Sequence, residues 1–429
     1  MEDCSNIDKR RATTLYHGWL VVAAAFIVAM YGFGLGFYGP GIYLLALKTV
    51  HGWSTAGLSS AITCYYILGA TLLFSCVGPL FDRQGARTLV MTGTVALACG
   101  VVSLTLVTQP WHVYAAFALM SVGWAAMSGA AINIIVAPWF DRRRGLALSW
   151  SLNGASAGGV VIVPLLTFLI TRFGVAIALD AVAASMLAIL FPVAALVLRP
   201  RRPGEHDQAD GDAASGRSMQ PAASSPAEIS RFRLAAVLRS RRFLTTSIPF
   251  ALGLTAQVGF LTHQIAFLSP LVGTVAAGWA VSLTTTAAVL GRIGTGFFVD
   301  RLDRRAVACV NFFAQALAMA ILATSVSPAM LYLGCGLFGL GVGNATSLPG
   351  LIVQHEFPKR HFSRVVSLVV AINQFSFAFG PSLLGQLEHR QGSYHIAFVV
   401  CLSMELFAGV IVSPAIVRCS RRAVSRATG

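Results

Sequence analysis

The sequence predicts an all-α membrane protein: twelve transmembrane helices arranged as two pseudo-symmetric six-helix bundles. Three observations lead there. Of 429 residues, 56% are hydrophobic and 11% charged, with a mean hydropathy of +0.73, which does not describe a water-facing surface. Stretches of about 20 apolar residues, the length that spans a bilayer core as helix, recur twelve times. Two loop patterns return at nearly the same spacing in each half of the chain.

After a basic tail (1–16), the first span covers 17–40. Its length and the lack of a cleavage site in GFYGPGIYLL make it a retained helix, not a signal peptide. Spans at 55–80, 86–108, 111–137, 145–171 and 174–198 complete an N-terminal bundle, 17–198. Residues 199–242 form a linker. Its first part, 199–227, is rich in Arg, Pro, Ala, Ser and Gln and reads as disordered. From Glu228 to Arg242, apolar residues alternate with arginines, which suits either a helix on the anionic leaflet or a solvated loop. Spans at 243–269, 275–298, 304–325, 329–353, 362–387 and 394–418 build the C-terminal bundle, 243–418, and 419–429 is a second tail.

The net charge of +15 raises nucleic acid as a partner, but its placement along the chain answers that. With the N-terminus cytoplasmic, the tails and the loops after even-numbered spans hold 27 of the 31 Lys and Arg residues. The outward loops keep only Lys48, Arg172 and Arg390. This positive-inside asymmetry puts both termini in the cytoplasm of a multi-pass protein of the plasma (cell inner) membrane, and no nucleic acid is needed to explain it. The eight cysteines lack paired or metal-type spacing and read as small apolar residues. No His, Cys or acidic cluster suggests an enzyme or a metal site, and no nucleotide-binding loop suggests an ATP-driven pump, so no cofactor is expected.

The halves align. GPLFDRQGARTLV (78–90) matches GFFVDRLDRRAVA (296–308) at an offset of 218, and FDRRRG from Phe140 matches FPKRHF from Phe357 at 217, which also carries Pro164 onto Pro381. Two concordant registers in equivalent loops indicate a 6+6 duplication.

The twelve spans and the pattern Gly-x-x-x-Asp-Arg-x-Gly-x-Arg at 78–87 resemble the major facilitator superfamily. Within it, HGWLVVAAAF, HGWSTAGLSSAI, WFDRRRGLALSWS and GRIGTGFFVDR resemble the monocarboxylate porters and oxalate/formate antiporters. The resemblance implies a monomeric secondary transporter, with a conformational gate at Asp82, Arg83 and Arg87 and at the weaker copy Asp300, Arg301 and Arg305. Asp82 and Asp300 would then stand at the starts of the third and ninth spans, where a carboxylate meets the positive end of a helix dipole. The alternative is that these charges are topology signals and helix caps.

Arg292 is the outlier, a permanent cation inside the eighth span. A charge there costs at least ~2.5–3.5 kcal/mol, so it faces a cavity, a partner or a substrate, or snorkels toward the interface. The resemblance implies the anchor of a substrate carboxylate, which the planar guanidinium fork fits with two parallel hydrogen bonds. In the eleventh span, SLVVAINQFSFAFGPSLLG contains no Lys or Arg where the oxalate antiporters carry a lysine, which disfavours small dianions. Asn373 and Gln374 are expected to bind further substrate oxygens, with Phe375 and Phe379 as apolar flanks, or else to bond between helices. The acid that the porters place one turn before the arginine is Ala288 here. His263 is therefore both a substrate-contact and a proton-coupling candidate, against a satisfied core histidine, and Glu405 is a second proton-coupling candidate. The expected function is alternating-access transport of a small organic monocarboxylate, with proton symport slightly favoured over exchange. Its rivals are a drug or metabolite exporter and a non-transporting membrane sensor.

Overall fold

The computed structural model describes residues 16–140, 143–199, 237–298, 302–357 and 362–413. Among them all regular structure is helical. Eleven helical stretches are long and apolar enough to cross a membrane. One of them, Thr55–Ser103, has 49 residues and would rise ~73 Å, more than twice a bilayer core. At Gly85 its backbone turns non-helical (φ 79, ψ 176), so it makes two passes, α2 (55–84) and α3 (86–103). The other passes are α1 (His17–His51), α4 (Pro110–Trp139), α5 (Leu146–Phe173), α6 (Val175–Val197) and α7 (Arg241–Val272). The second half continues with α8 (Thr274–Phe298), α9 (Arg304–Thr324), α10 (Pro328–Glu356), α11 (Val365–Gln391) and α12 (His395–Val412). Twelve passes leave Tyr16 and Ser413 on one face, called here the terminus side, with the far side opposite.

The duplication is visible in the backbone. The far-side turns α1–α2 and α7–α8 each carry a positive-φ glycine, Gly52 and Gly273, and so do α5–α6 and α11–α12, at Gly174 and Gly392. Pro110 and Pro328 open α4 and α10 alike. Equivalent positions of the two halves thus make the same local choice.

Three helices widen to a π turn: α1 at Gly34–Tyr38, α2 at Leu73–Val77 and α5 at Gly158–Ile162. Each π turn ends two residues before a proline, Pro40, Pro79 or Pro164. Proline brings no N–H and crowds the carbonyl four residues back, and a wider turn relieves that contact. In lipid the freed carbonyl needs a new donor. Gly36 O accepts from the Tyr65 hydroxyl at 2.6 Å, and Val160 O from Ser282 Oγ at 3.3 Å. Pro381, the duplicate of Pro164, likewise follows a break in α11, between Phe377 and Gly380.

The halves meet through α1 with α7, α2 with α11 and α5 with α8. Hydrogen bonds and an ion pair join the halves in the middle and on the far side. Lys48 Nζ pairs with Glu388 Oε1 at 2.8 Å, Ser60 Oγ meets Ser382 Oγ at 3.4 Å, and Ser382 N donates to Thr63 Oγ1 at 3.2 Å. On the terminus side, Tyr16 to Trp139 O and Arg305 to Glu356 are contacts within one half. The far side is thus held closed by contacts between the halves.

Candidate substrate site

Small residues create the site. A Cβ on Gly291 would meet Leu340 O, and one on Gly343 would meet Ala288 O, so only glycine lets α8 and α10 touch backbone to backbone here. Arg292 emerges beside that contact, half-buried, and its Nε donates to Gly343 O at 3.3 Å. The two terminal nitrogens of the guanidinium have no partner among the described residues, which leaves an open fork. Across the seam, the Tyr38 hydroxyl of α1 lies within electrostatic reach of that charge.

The π turn places Tyr38. Tyr43, Tyr65 and Tyr66 donate to the carbonyls of Leu35, Gly36 and Phe37 at 3.1, 2.6 and 3.1 Å, pinning three consecutive residues of the widened segment. Tyr38, the next residue, keeps its own hydroxyl free of protein hydrogen bonds. A cation of the C-terminal half and a phenol of the N-terminal half, both with donors unused among the described residues, are therefore within electrostatic reach of each other.

Asn373 is buried in α11 with its Oδ1 unpartnered, and Gln374 beside it is half-buried. Asn373 shares a face with Phe377, which packs edge-on against Tyr66 at 5.7 Å between centroids. Phe375 and Phe379, expected to flank the site, do not. They are exposed on the opposite face and pack on each other at 5.3 Å. The inward aromatic of α11 is Phe377, because 100° per residue puts 373 and 377 on one stripe and 375 on the other.

His263 is fully buried in the far-side seam. Its Nε2 lies 3.0 Å from Pro381 O and 3.2 Å from Ser59 Oγ, and its Nδ1 lies 3.0 Å from the Tyr394 hydroxyl. A carbonyl only accepts, so Nε2 carries the proton and Nδ1 accepts from Tyr394. Tyr394 sits just outside α12, and burial raises its phenol above the ordinary value, which keeps it a donor. His263 thus ties α7 to α2 and α11. Glu405 is also fully buried, and both of its oxygens lack a partner. It points among Gly253 of α7 and Phe312 of α9, inside the C-terminal half. Neither residue, nor Asn373 or Gln374, is hydrogen-bonded to Arg292.

At the loop motifs, Gly85 rather than Asp82 marks the turn. Asp82 lies on the last turn of α2, where the dipole is negative, so the expected capping of the third span does not occur. Asp82, Arg83 and Arg87 are all exposed on the terminus side. Asp300 and Arg301 lie outside the described residues. Arg305 is 4% exposed and grips Glu356 of α10, with Nε to Oε1 at 2.6 Å and Nη2 to Oε2 at 2.8 Å, a fork inside one half. The far-side pair of Lys48 and Glu388 joins the halves instead.

The match of Major Facilitator Superfamily models to residues 24–276 and 272–427 covers nearly the whole chain. The chain belongs to the Major Facilitator Superfamily. It is a multi-pass membrane transporter, not an enzyme. It is 27% identical over 414 residues to Monocarboxylate transporter 11 of Mus musculus, covering 92% of this chain and 86% of that protein. It is 28% identical over 366 residues to the Fujikurins efflux protein of Gibberella fujikuroi, covering 80% and 70%. Its fold matches a crystal structure of nucleoside transporter NupG with a TM-score of 0.73 at 14% identity, over 91% of this chain and 98% of that one.

Proposed function

We propose that this transporter carries an organic monocarboxylate by alternating access, held at Arg292, and that transport is coupled to protons. The observation that carries the reading is the open guanidinium fork: a permanent cation near the seam with its terminal nitrogens unused and no acid paired with it among the described residues. A carboxylate supplies the charge and the two acceptors that the fork lacks. The likeness to a protein named as a monocarboxylate transporter supports the same reading. Asn373 Oδ1, with no protein partner, is suited to a substrate hydroxyl, and Gln374 flanks it.

Both termini are cytoplasmic in this proposal, from the placement of Lys and Arg, and the chain works as a monomer in the plasma membrane. The terminus side is then the cytoplasmic mouth, and Asp82, Arg83 and Arg87 engage when it closes, as would Asp300 and Arg301. His263 and Glu405 are the proton-coupling candidates. His263 sits in the seam that must open on the far side, and Glu405 is a buried carboxyl without a donor. If either carries the proton, His263→Gln or Glu405→Gln abolishes accumulation driven by a pH gradient while leaving substrate exchange.

Uptake of labelled carboxylates into proteoliposomes tests the anchor. Arg292→Lys retains part of the flux, and Arg292→Ala raises the half-saturating concentration about 10–150-fold, the worth of a charged hydrogen bond of ~1.5–3 kcal/mol. Equal flux in all three proteins would falsify the assignment. The likeness to an efflux protein favours a second reading, metabolite export, in which neutral compounds are carried and Arg292→Ala changes nothing.

A further inference from the structure

Between Trp19 and Phe37, α1 is accessible only along one side. Its accessible positions there are Trp19, Leu20, Ala23, Phe26, Ile27, Met30, Phe33 and Phe37, a helical stripe with 3- and 4-residue steps. The stripe is exposed at Leu20 and Ala23 on the terminus side and half-buried at Phe33 and Phe37. It ends against the opposite half, because Phe37 neighbours Tyr66 (6.3 Å between centroids) and Tyr66 touches Phe377 of α11. A lipid-facing stripe would not end there, so this one lines the passage between the halves.

Its inner end is aromatic. Phe33 meets Trp124 of α4 edge-on at 5.1 Å, and Phe37 lies nearly parallel to the same indole at 5.9 Å. The next residue along α1 is Tyr38, whose hydroxyl lies within electrostatic reach of the Arg292 charge. The rings thus stand one position along α1 from a donor suited to a carboxylate. A two- or three-carbon acid would satisfy the donors and leave the rings against water.

We propose that the transported anion is an aromatic monocarboxylate, its acid group on Arg292 and Tyr38 and its ring against Phe33, Phe37 and Trp124. This rests on the carboxylate reading and adds a ring requirement set by the N-terminal half. Aromatic pairs at 4.5–7 Å between centroids are favoured beyond their area burial, so the trough selects by ring and not by charge.

Phenylpyruvate and pyruvate share one 2-keto acid head and differ by the ring, which makes them the probes. In proteoliposomes of the full chain, phenylpyruvate should saturate transport at a concentration about tenfold or more below pyruvate. Phe37→Leu, which keeps bulk without a ring, and Phe37→Ala should both shrink that preference, while pyruvate itself shifts less than about threefold. Arg292→Ala should weaken both acids together. The ring proposal is overturned if wild-type protein treats the two acids alike, or if the Phe37 variants weaken both equally; the carboxylate reading survives either result provided Arg292→Ala still matters. Transport of neither acid, or indifference to Arg292→Ala, sinks the reading and the ring proposal together.

Discussion

Two arginines and a lysine separate by what surrounds them. Arg305 is enclosed with Glu356, so Arg305→Ala strands a buried carboxylate, and a loss of about 3–5 kcal/mol is expected as a lowered unfolding midpoint in detergent. Lys48 is 41% exposed although its Glu388 partner is 13% exposed, so Lys48→Ala should cost less than about 1 kcal/mol in the same measurement. Arg292 has a free fork and is expected to govern affinity rather than stability. From sequence, Arg292 was legible because an ionisable group inside an apolar run stands out by its cost. Arg305 was legible only as a member of a motif, and its grip on Glu356 was not, since nothing local in either stretch specifies the partner. Lys48 read as a loop charge because its partner lies 340 positions away. Tyr38 carried no signal of its own. Its meaning comes from three other tyrosines that hold the preceding carbonyls.

At the scale of elements, prolines decide where helices widen and glycines decide where they touch. Gly41 of α1 lies against Thr262 O of α7, and a Cβ there would stand 2.5 Å from that oxygen. Gly41→Val should therefore hold the far side apart, with flux lost and a retained helical circular dichroism spectrum. A Gly41→Val protein with normal flux would show that α1 and α7 need not close. The spans themselves were readable, because length and hydropathy are properties of a linear string. α1 nevertheless continues to His51, past the expected limit at residue 40, because Gly39 and Pro40 sit within a widened helix instead of ending one. The face of α11 was not readable either. Phe375, Phe377 and Phe379 alternate in sequence, and only the phase set by packing on Tyr66 selects Phe377 as the inward ring.

For the whole molecule, the two-bundle plan followed from charge asymmetry and the offset near 218, and glycine turns and opening prolines repeat in the backbone at matching places. Which mouth is open could not be read, since one sequence serves both states. Ser60 and Ser382 supply a direct check, with their oxygens 3.4 Å apart across α2 and α11. In the double variant Ser60→Cys, Ser382→Cys, oxidation should form a disulfide with little backbone movement, stop flux, and be reversed by reductant. Undiminished flux with the bond formed would mean that the halves do not part along this line. Along that line hydroxyls and glycines lying on backbone accompany a ring contact, Tyr66 on Phe377. When it separates, water can replace the lost hydrogen bonds, while the rings are newly wetted. A solute then shifts the balance by as much as its affinity differs between the two states.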